Sequence, residues 1–502
     1  MKTKLIEVAL PLEAINKESA REKSIRHGHP STLHLWWARR PLAACRAVLF
    51  ASLVDDPSSL PEQFPTEADQ DRERQRLFRL IEKLVLWENS NNRAVLDEAH
   101  AEILKSTGGN PPPIYDPFCG GGSIPLEAQR LGLEAHGSDL NPVAVLITKA
   151  LIEIPPKFAD RPPVNPAAKK KMSGKGMWTG ARGLADDVRY YGQWMRERAI
   201  ERIGQLYPKV TLPEEHGGGK ATVIAWLWAR TVVCPNPACG ARMPLVKSFA
   251  LSTKAGRKAW AEPVIDHDRK TISFNVKTGT GPPPDPPKIG RGAKFRCLVC
   301  RETCPDRHIK AEGALGRIGV QLMAVVAEGK RERIYLPPDD YQTSVAESAK
   351  PVWGPEQELA HDPRALWCIP YGLRRFRDLF TPRQLVSLTT FSDLVSEARQ
   401  QAIHDGGSEA YGSAIAMYLA FALSKMVDRG STICTWFTER DSTRNTFARQ
   451  GIPMTWDFAE LNTLLSGTGS FGGAAEWTAE SLDGIPNSPA IPGSVSQLDA
   501  TS

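Results

Sequence analysis

A glycine-rich turn between a short strand-like segment and a helix constrains the fold of this chain more than any other feature. It reads Asp116-Pro117-Phe118-Cys119-Gly120-Gly121-Gly122-Ser123 and follows Ile114-Tyr115. A helical pattern, SIPLEAQRLG, comes next, and a second short strand lies around Glu134 to Gly137. Glycines let the backbone turn tightly and let a ligand approach the main chain closely. The pattern therefore predicts a compact β-α-β unit with a ligand site at the turn.

An acidic residue follows the second predicted strand in Gly137-Ser138-Asp139-Leu140-Asn141-Pro142. An acid at this point, about 20 residues beyond a glycine turn, can accept hydrogen bonds from ribose hydroxyls. The free N–H groups of the helix after the turn suit a polar or anionic ligand group. A lone glycine turn is weak evidence, but Asp116, Phe118 and Asp139 in register favour a cofactor site over a plain turn.

Composition is typical of a soluble globular protein. The chain has 502 residues, 41% hydrophobic and 24% charged, with a net charge of +6. This length suggests about three domains, and the mild positive charge permits a polyanionic partner without requiring one. No apolar run reaches about 18 residues, and the N-terminus does not read as a signal peptide. We therefore expect a cytoplasmic protein with no membrane span.

Breaks in composition predict five consecutive segments. The strongest break is a stretch of prolines, lysines and glycines at 155–183, and helices are expected at Leu184–Leu206, 373–404 and 409–429, with a strand at 431–437. The predicted segments are an N-terminal and cofactor-binding part (1–154), a linker with a long helix (155–221), a cysteine-containing insertion (222–310), a mixed, mainly helical region (311–466) and a flexible tail (467–502).

Two short-spaced cysteine pairs, Cys234/Cys239 and Cys297/Cys300, predict a zinc site. Four thiolates bind Zn²⁺ tetrahedrally and leave no open position, so the role expected is structural. Cys304 and His308 lie close to the second pair and are alternatives for the fourth ligand. The long separation of the pairs requires an inserted loop, which is basic.

The motifs resemble a known family. Asp-Pro-Phe-x-Gly-x-Gly-Ser followed by Ser-Asp-Leu-Asn-Pro is similar to S-adenosylmethionine (SAM)-dependent amino-methyltransferases that act on DNA. The segment His29–Leu42, HPSTLHLWWARRPL, resembles the opening of the DUF1156 family, described as adenine-specific DNA methylases containing a zinc ribbon. Phe380–Leu385 and Ile452–Glu460 are also similar to it, so that the resemblance covers nearly the whole chain.

The resemblance implies an α/β fold: a Rossmann-like SAM-dependent methyltransferase fold, incomplete here, with an inserted zinc ribbon and a helical region. It implies SAM and a structural Zn²⁺ as cofactors and DNA as partner, with methyl transfer to adenine N6. The motif beside the methionine carboxylate includes an arginine, which binds carboxylate in a forked pair. The cofactor residues implied are Asp116, Pro117, Phe118, Gly120, Gly122, Ser123, Asp139, Asn141, Arg40 and Pro41.

The catalytic tetrapeptide of such enzymes, Asp/Asn/Ser-Pro-Pro-aromatic, does not occur in the sequence. The nearest match, Asp285-Pro286-Pro287-Lys288, has lysine where the ring is needed. Gly493–Ser502 resembles the segment that precedes the catalytic strand, which suggests either a truncated enzyme or a split enzyme whose catalytic half lies on a second polypeptide. No catalytic residue is therefore assigned, and a catalytically silent SAM- and DNA-binding subunit is the alternative.

Two further alternatives stay open at this point. RNA or protein, rather than DNA, remains a weaker choice of acceptor, because the cofactor loop does not specify it. Lys169–Lys171 with Lys175, Trp178 and Arg182 are either phosphate contacts or a solvated loop.

Overall fold

The computed structural model describes residues 2–171, 178–330, 332–486 and 491–501. The mixture of helix and sheet expected from the sequence is confirmed. The chain folds into two compact units, and each unit consists of segments that are not contiguous in sequence. Unit 1 comprises Met1–Gln193, Ser396–Ala422 and Ala475–Ser502, and unit 2 comprises Trp194–Val395 and Leu423–Ala474.

Fifteen α-helices lie within the described residues. Their bounds are α1 Leu5–Val8, α2 Leu12–Glu22, α3 Leu42–Leu53, α4 Glu67–Val85, α5 Arg93–Ser106, α6 Ser123–Arg130, α7 Pro142–Ile152, α8 Ile154–Lys157, α9 Pro166–Lys171, α10 Arg182–Ile203, α11 Asp306–Ala314, α12 Asp340–Glu347, α13 Pro382–His404, α14 Glu409–Arg429 and α15 Phe471–Ser481.

The β-strands are short in unit 1 and longer in unit 2. They are β1 Ile114–Asp116, β2 Ala135–Asp139, β3 Val210–Thr211, β4 Lys220–Ala221, β5 Val223–Val233, β6 Arg242–Leu245, β7 Ala250–Ser252, β8 Ala259–Asp266, β9 Thr271–Thr278, β10 Phe295–Arg296, β11 Thr303–Cys304, β12 Gly319–Glu328, β13 Arg333–Leu336, β14 Trp436–Phe437, β15 Ser442–Thr443, β16 Asp457–Leu461 and β17 Ser494–Gln497.

The predicted β-α-β unit is present in unit 1. Strands β1 and β2 are parallel, with Ile114 opposite Ala135 and Asp116 opposite Gly137, and α6 connects them. Strand β17 pairs parallel with the other edge of β2, giving the order β1-β2-β17. Because carboxyl ends of parallel strands meet at one edge of a sheet, Asp116 and Asp139 end neighbouring strands at the same edge.

Helices pack around α3 to form the apolar core of unit 1. The apolar residues of α4 recur at three- and four-residue spacing and are all buried, namely Leu77, Leu80, Ile81, Leu84 and Val85. Glu22 accepts hydrogen bonds from the N–H groups of Leu42 and Ala43 (2.8 and 3.0 Å), which caps the amino end of α3. This cap fixes how the segment before α3 enters the helix.

Unit 2 is built on a sheet with β5 at its centre. The order is β13-β12-β5-β16, with β6 also paired to β5, and β12, β16 and β6 are all antiparallel to β5. Every residue of β5 except the last is buried. Glu460 of β16 forms a buried ion pair with Arg383 at 2.7 Å, and its Oε2 accepts a hydrogen bond from Trp228 Nε1 at 2.9 Å.

The C-terminal part differs from the sequence-based expectation in two places. Residues 431–437 were expected as a strand, but only Trp436–Phe437 is extended and paired. Residues 467–502, predicted as a flexible tail, contain α15 and β17. Glycine and serine lower local propensity, but burial of Phe471 and Val495 in the units stabilises both elements.

Helices α10 and α14 lie close to the predicted ranges Leu184–Leu206 and 409–429, whereas α13 begins at Pro382, later than the predicted start at residue 373. Thr381 caps the amino end of α13, since its Oγ1 accepts a hydrogen bond from Gln384 N (3.1 Å). Among the described helices, α14 is long and apolar enough to cross a membrane by length and composition. Its Ile415, Tyr418 and Leu419 are fully buried, which is the pattern of a core helix.

Candidate cofactor site and cysteine cluster

The glycine turn has a backbone that only glycine tolerates well. Gly120 and Gly122 have φ of +49° and +72°, in the left-handed region. Trp36 lies directly against the turn: a Cβ added at Gly120 would be 2.7 Å from Trp36 Nε1. A Cβ at Gly122 would be 3.0 Å from Thr148 Oγ1. The glycines are thus required by both conformation and close packing.

An arginine lies over the same turn. A Cβ added at Gly121 would be 3.1 Å from Arg39 Nε. Within the described residues that buried Nε has no hydrogen-bond partner, while Arg39 Nη2 donates to His34 O at 2.9 Å. Burial lowers the pKa of Arg39 to about 10, so the side chain still carries its charge at neutral pH. A buried charged donor without a partner favours an anionic ligand group at the turn.

Two carboxylates face the turn from the ends of β1 and β2. Asp139 Oδ2 accepts a hydrogen bond from Gly120 N and Oδ1 accepts one from Asn141 N, both at 2.9 Å. Asp116 Oδ1 accepts from Phe118 N at 3.1 Å. Burial, and then the charge of Asp139, raise the pKa of Asp116. A ligand with positive charge or hydroxyl donors would relieve this repulsion.

The other residues implied by the resemblance differ in whether their side chains lie near the glycine turn. Ser123 Oγ donates to the backbone oxygen of Arg40 (2.9 Å), whereas the Arg40 side chain is exposed. Asn141 caps α7 through Val143 N, and Pro41 precedes α3. Phe118 is 75% exposed beside the turn. The structure therefore places Arg39, rather than the predicted Arg40, against the glycines.

Trp36 and Arg39 belong to the segment whose resemblance predicts a place beside the cofactor, but only Arg40 and Pro41 of that segment were assigned to the site. Trp36 and Arg39 both lie in the sequence WWARR, where several residues of the same type follow one another. The path of the backbone between the 3₁₀ helix Pro30–Thr32 and α3 decides which arginine of this sequence lies against the glycine turn. Because Arg39 and Arg40 are adjacent and of the same type, the sequence pattern does not distinguish which of them contacts the ligand site.

The four predicted cysteines meet in unit 2. The sulfur atoms of Cys234, Cys239, Cys297 and Cys300 all lie within 4.8 Å of one another. Cys234 and Cys300 are 3.6 Å apart at sulfur, and Cys239 and Cys297 are 3.9 Å apart. Four sulfurs about 2.3 Å from a tetrahedral Zn²⁺ would be separated by about 3.8 Å. The cluster therefore has the donors and spacing to hold a metal ion such as zinc.

Each cysteine pair occupies the turn of a β-hairpin. Cys234 N donates to Ala241 O at the end of the β5–β6 hairpin, and Cys297 N donates to Glu302 O in the β10–β11 hairpin (both 2.8 Å). Gly240, with φ of +63°, supplies the tight turn expected after the second cysteine. Between the hairpins the chain forms the antiparallel β7-β8-β9 sheet, which is the inserted segment that the long spacing requires.

Neither alternative fourth ligand belongs to this cluster. Cys304 is buried, and burial raises the pKa of its thiol to about 12. His308 Nε2 donates to Val233 O at 2.9 Å. The four cysteines of the two pairs are thus the metal-binding group found in the described chain.

The basic segment at 169–182 is only partly covered. The side chains of Lys169, Lys170 and Lys171 and all of Lys175 lie outside the described residues. Trp178 and Arg182 are described, with Arg182 opening α10. The choice between phosphate contact and solvated loop stays a prediction.

One part of unit 1 matches a known family model. Residues 9–80 match the family model described as "Protein of unknown function (DUF1156)". The N-terminal segment is therefore similar to the DUF1156 family over these residues. No curated protein and no solved structure matches the chain.

The DUF1156 segment contributes directly to the candidate site. It runs from before α2 to within α4 and contains Trp36 and Arg39, which cover the glycine turn. The turn itself, with Asp116 and Asp139, lies outside the matched residues. The candidate site of unit 1 is therefore shared between the segment that matches the DUF1156 model and the β-α-β unit that follows it.

Proposed function

We propose that this chain is a SAM-dependent DNA methyltransferase specific for adenine N6, supplying the cofactor-binding part of the enzyme. The observation that carries the proposal is the glycine turn between parallel strands, bordered by the Asp116 and Asp139 carboxylates and by the unpartnered Arg39 Nε. SAM presents a carboxylate, two cationic groups and ribose hydroxyls. The charges around the turn are complementary to that combination.

Each side chain has a binding role in this proposal. Arg39 pairs with the methionine carboxylate, and Asp116 faces the cationic part of the ligand. Asp139 holds the turn through Gly120 N and has remaining acceptor capacity for ribose hydroxyls. The exposed rings and alkyl groups of Phe118 and Leu140, which are 75% and 66% exposed, offer an apolar edge for the adenine. When bound, SAM supplies an electrophilic methyl group.

The acceptor chemistry rests on resemblance. An Asp/Asn/Ser-Pro-Pro-aromatic motif, which would orient the amino group of an extruded base, is absent from the sequence. Methyl transfer therefore requires that this motif be supplied by a segment other than these 502 residues. The same absence favours one alternative, a silent subunit that binds SAM and DNA without transferring the methyl group.

The cysteine cluster is proposed to be a structural zinc ribbon. Two hairpin turns supply the four thiolates, which is the arrangement that closes a tetrahedral site. With no open coordination position, the metal has a folding role rather than a catalytic one.

Measurements of SAM affinity test whether the glycine turn and Arg39 form the cofactor site. Arg39→Gln should weaken SAM binding about 10-fold to 100-fold, because it removes the charge-assisted pair to the carboxylate. Arg40→Gln is the matched control, since its side chain is exposed, and should change the Kd less than about 3-fold. Isothermal titration calorimetry with SAM measures both. Equal effects of the two substitutions, or no SAM binding by the wild-type protein, would refute the assigned cofactor site.

Transfer of labelled methyl groups then separates the enzyme from the silent subunit. Label should appear in adenine of duplex DNA when a polypeptide carrying the missing motif is added. SAM binding without transfer under any such complementation would leave the silent-subunit alternative. Competition with RNA identifies the acceptor.

A further inference from the structure

A groove in unit 2 carries an excess of positive charge. Its volume is about 1150 Å³, and it runs beside β12, β13 and the β14–β15 hairpin. The described cations that line it are Arg196, Lys209, Lys254, Arg257, Lys330, Arg333 and Arg440. The described carboxylates that line it are Glu328, Glu332 and Asp441.

Most of this charge is not neutralised within the groove. Lys254 pairs with Asp441 at 2.8 Å, and Arg257 pairs with Glu332 at 3.5 Å. Lys209, Lys330 and Arg333 are exposed and form no ion pair with any described residue. Exposed cations held along one concave surface attract a polyanion and gain by release of its counterions.

The β14–β15 hairpin separates this groove from a second cavity. Its Phe437 ring lies under two guanidinium groups, at 5.4 Å from Arg440 and 4.4 Å from Arg444. Arg440 lines the groove, Arg444 lines the second cavity, and Trp436 borders both. The hairpin is therefore a short element with cations on two concave surfaces that share one aromatic side chain.

The second cavity, about 390 Å³, has the lining of a small-ligand site. Trp436 and Trp456 contribute aromatic rings, while Lys247, Arg444 and Arg449 contribute positive charge. Asp457 is the described carboxylate in the wall, and its Oδ1 accepts a hydrogen bond from Lys247 N at 3.1 Å. Aromatic rings together with a few convergent polar groups suit the heteroaromatic base of a nucleotide, and the cations suit the phosphate of the same nucleotide.

We infer that unit 2 binds a nucleic-acid strand across the β14–β15 hairpin, with backbone phosphates in the basic groove and one nucleotide in the adjoining cavity. Aromatic rings beside the cations favour a nucleic acid over an acidic polypeptide, because every base has a face that stacks. The choice of DNA rests on the proposed function. The inference extends that function, since the SAM site proposed above lies in unit 1.

Three double variants that each remove two positive charges test the inference. Lys330→Gln/Arg333→Gln changes the groove, and Arg444→Gln/Arg449→Gln changes the cavity. Lys310→Gln/Arg364→Gln is the control, because these side chains pair with Asp306 and Asp362 outside both surfaces. Fluorescence anisotropy of a labelled single-stranded DNA, without SAM, measures the affinity at several salt concentrations.

The groove and cavity variants should each bind about 10-fold more weakly and lower the salt slope by about 1.5, whereas the control should stay within about 2-fold of wild type. Equal losses in all three variants, or polyglutamate binding as tight as DNA, would overturn the inference. So would absence of DNA binding by the wild-type chain. Calorimetry with SAM on the same preparation shows whether the cofactor site fails independently. An RNA oligonucleotide of the same sequence identifies which phosphodiester backbone is preferred.

Discussion

Single residues decide the electrostatics of both candidate sites. Arg39 and Arg40 are adjacent in sequence, yet the buried Nε of Arg39 over the glycine turn has no hydrogen-bond partner among the described residues, whereas Arg40 is exposed. Asp457 shows the same dependence on surroundings. Burial in the cavity wall raises its pKa from 3.8 to about 6, although the N–H of Lys247 acts in the opposite direction. The ionised carboxylate is therefore less favourable in the folded chain than in the unfolded chain.

This shift predicts a pH-dependent effect of Asp457→Asn on stability. Because the folded-state pKa is the higher one, the native chain holds the proton more tightly, and stability is lost as pH rises from about 4 through about 6. The uncharged variant avoids that loss and can keep the hydrogen bond to Lys247 N. Its free energy of unfolding relative to wild type should rise by about 1–3 kcal/mol between about pH 4 and pH 7. Urea titrations across this range measure it, and a difference independent of pH would contradict it.

At the scale of elements, the glycine turn is held by parts of the chain that are distant in sequence. Trp36 and Arg39 come from the segment before α3, and Asp139 comes from the end of β2. The β14–β15 hairpin is similar, because its cations serve two surfaces whose other walls come from β12 and β16. Both candidate sites therefore depend on the relative positions of elements more than on any one motif.

Alanine substitutions in the turn test this dependence. Gly120→Ala places a methyl group 2.7 Å from Trp36 Nε1 at a φ of +49°, so it should destabilise unit 1 by about 1–3 kcal/mol and abolish SAM binding. Gly121→Ala meets its neighbours at 3.1 Å without a positive φ and should have a smaller effect. Thermal unfolding and calorimetry measure the two changes. A reversed order of the effects would show that Trp36 does not pack on the turn.

On the scale of the whole molecule, the two units have different sources of stability. Unit 1 has a helical apolar core around α3, whereas unit 2 joins a sheet to the cysteine cluster. The cluster lies among buried residues that include Met243, Leu245 and Phe295. Loss of a metal there would leave four thiols close together inside an apolar region.

Metal removal should therefore affect unit 2. The purified chain is expected to contain one zinc ion, and a strong chelator should lower the Tm of a transition in unit 2 by several degrees, at least about 4 °C. Cys239→Ser should reproduce this loss, while Cys304→Ser should keep the zinc content because it lies outside the cluster. Elemental analysis and calorimetric scans measure both. Equal zinc loss in the two variants would contradict the four-cysteine assignment.

Local sequence by itself identified many of the residues in the two candidate sites. Glycines at positive φ, an acid at a strand end and paired cysteines each carry a conformational or ligand requirement that is readable from neighbouring residues. The same holds for α4, whose apolar periodicity matches its buried face, and for the Thr381 cap of α13. The mixed α and β character and the metal-binding cysteines followed from these signals.

Tertiary structure decided what local signals could not. Selection of Arg39 over Arg40 depends on a backbone path, and the basic groove collects cations from positions between 196 and 440. β17 and α15 lie in a glycine- and serine-rich region, where low local propensity predicts no regular element. They form because pairing with β2 and burial of Phe471 and Val495 outweigh that propensity. Contacts between residues far apart in sequence have no periodic pattern, and only the folded chain brings them together.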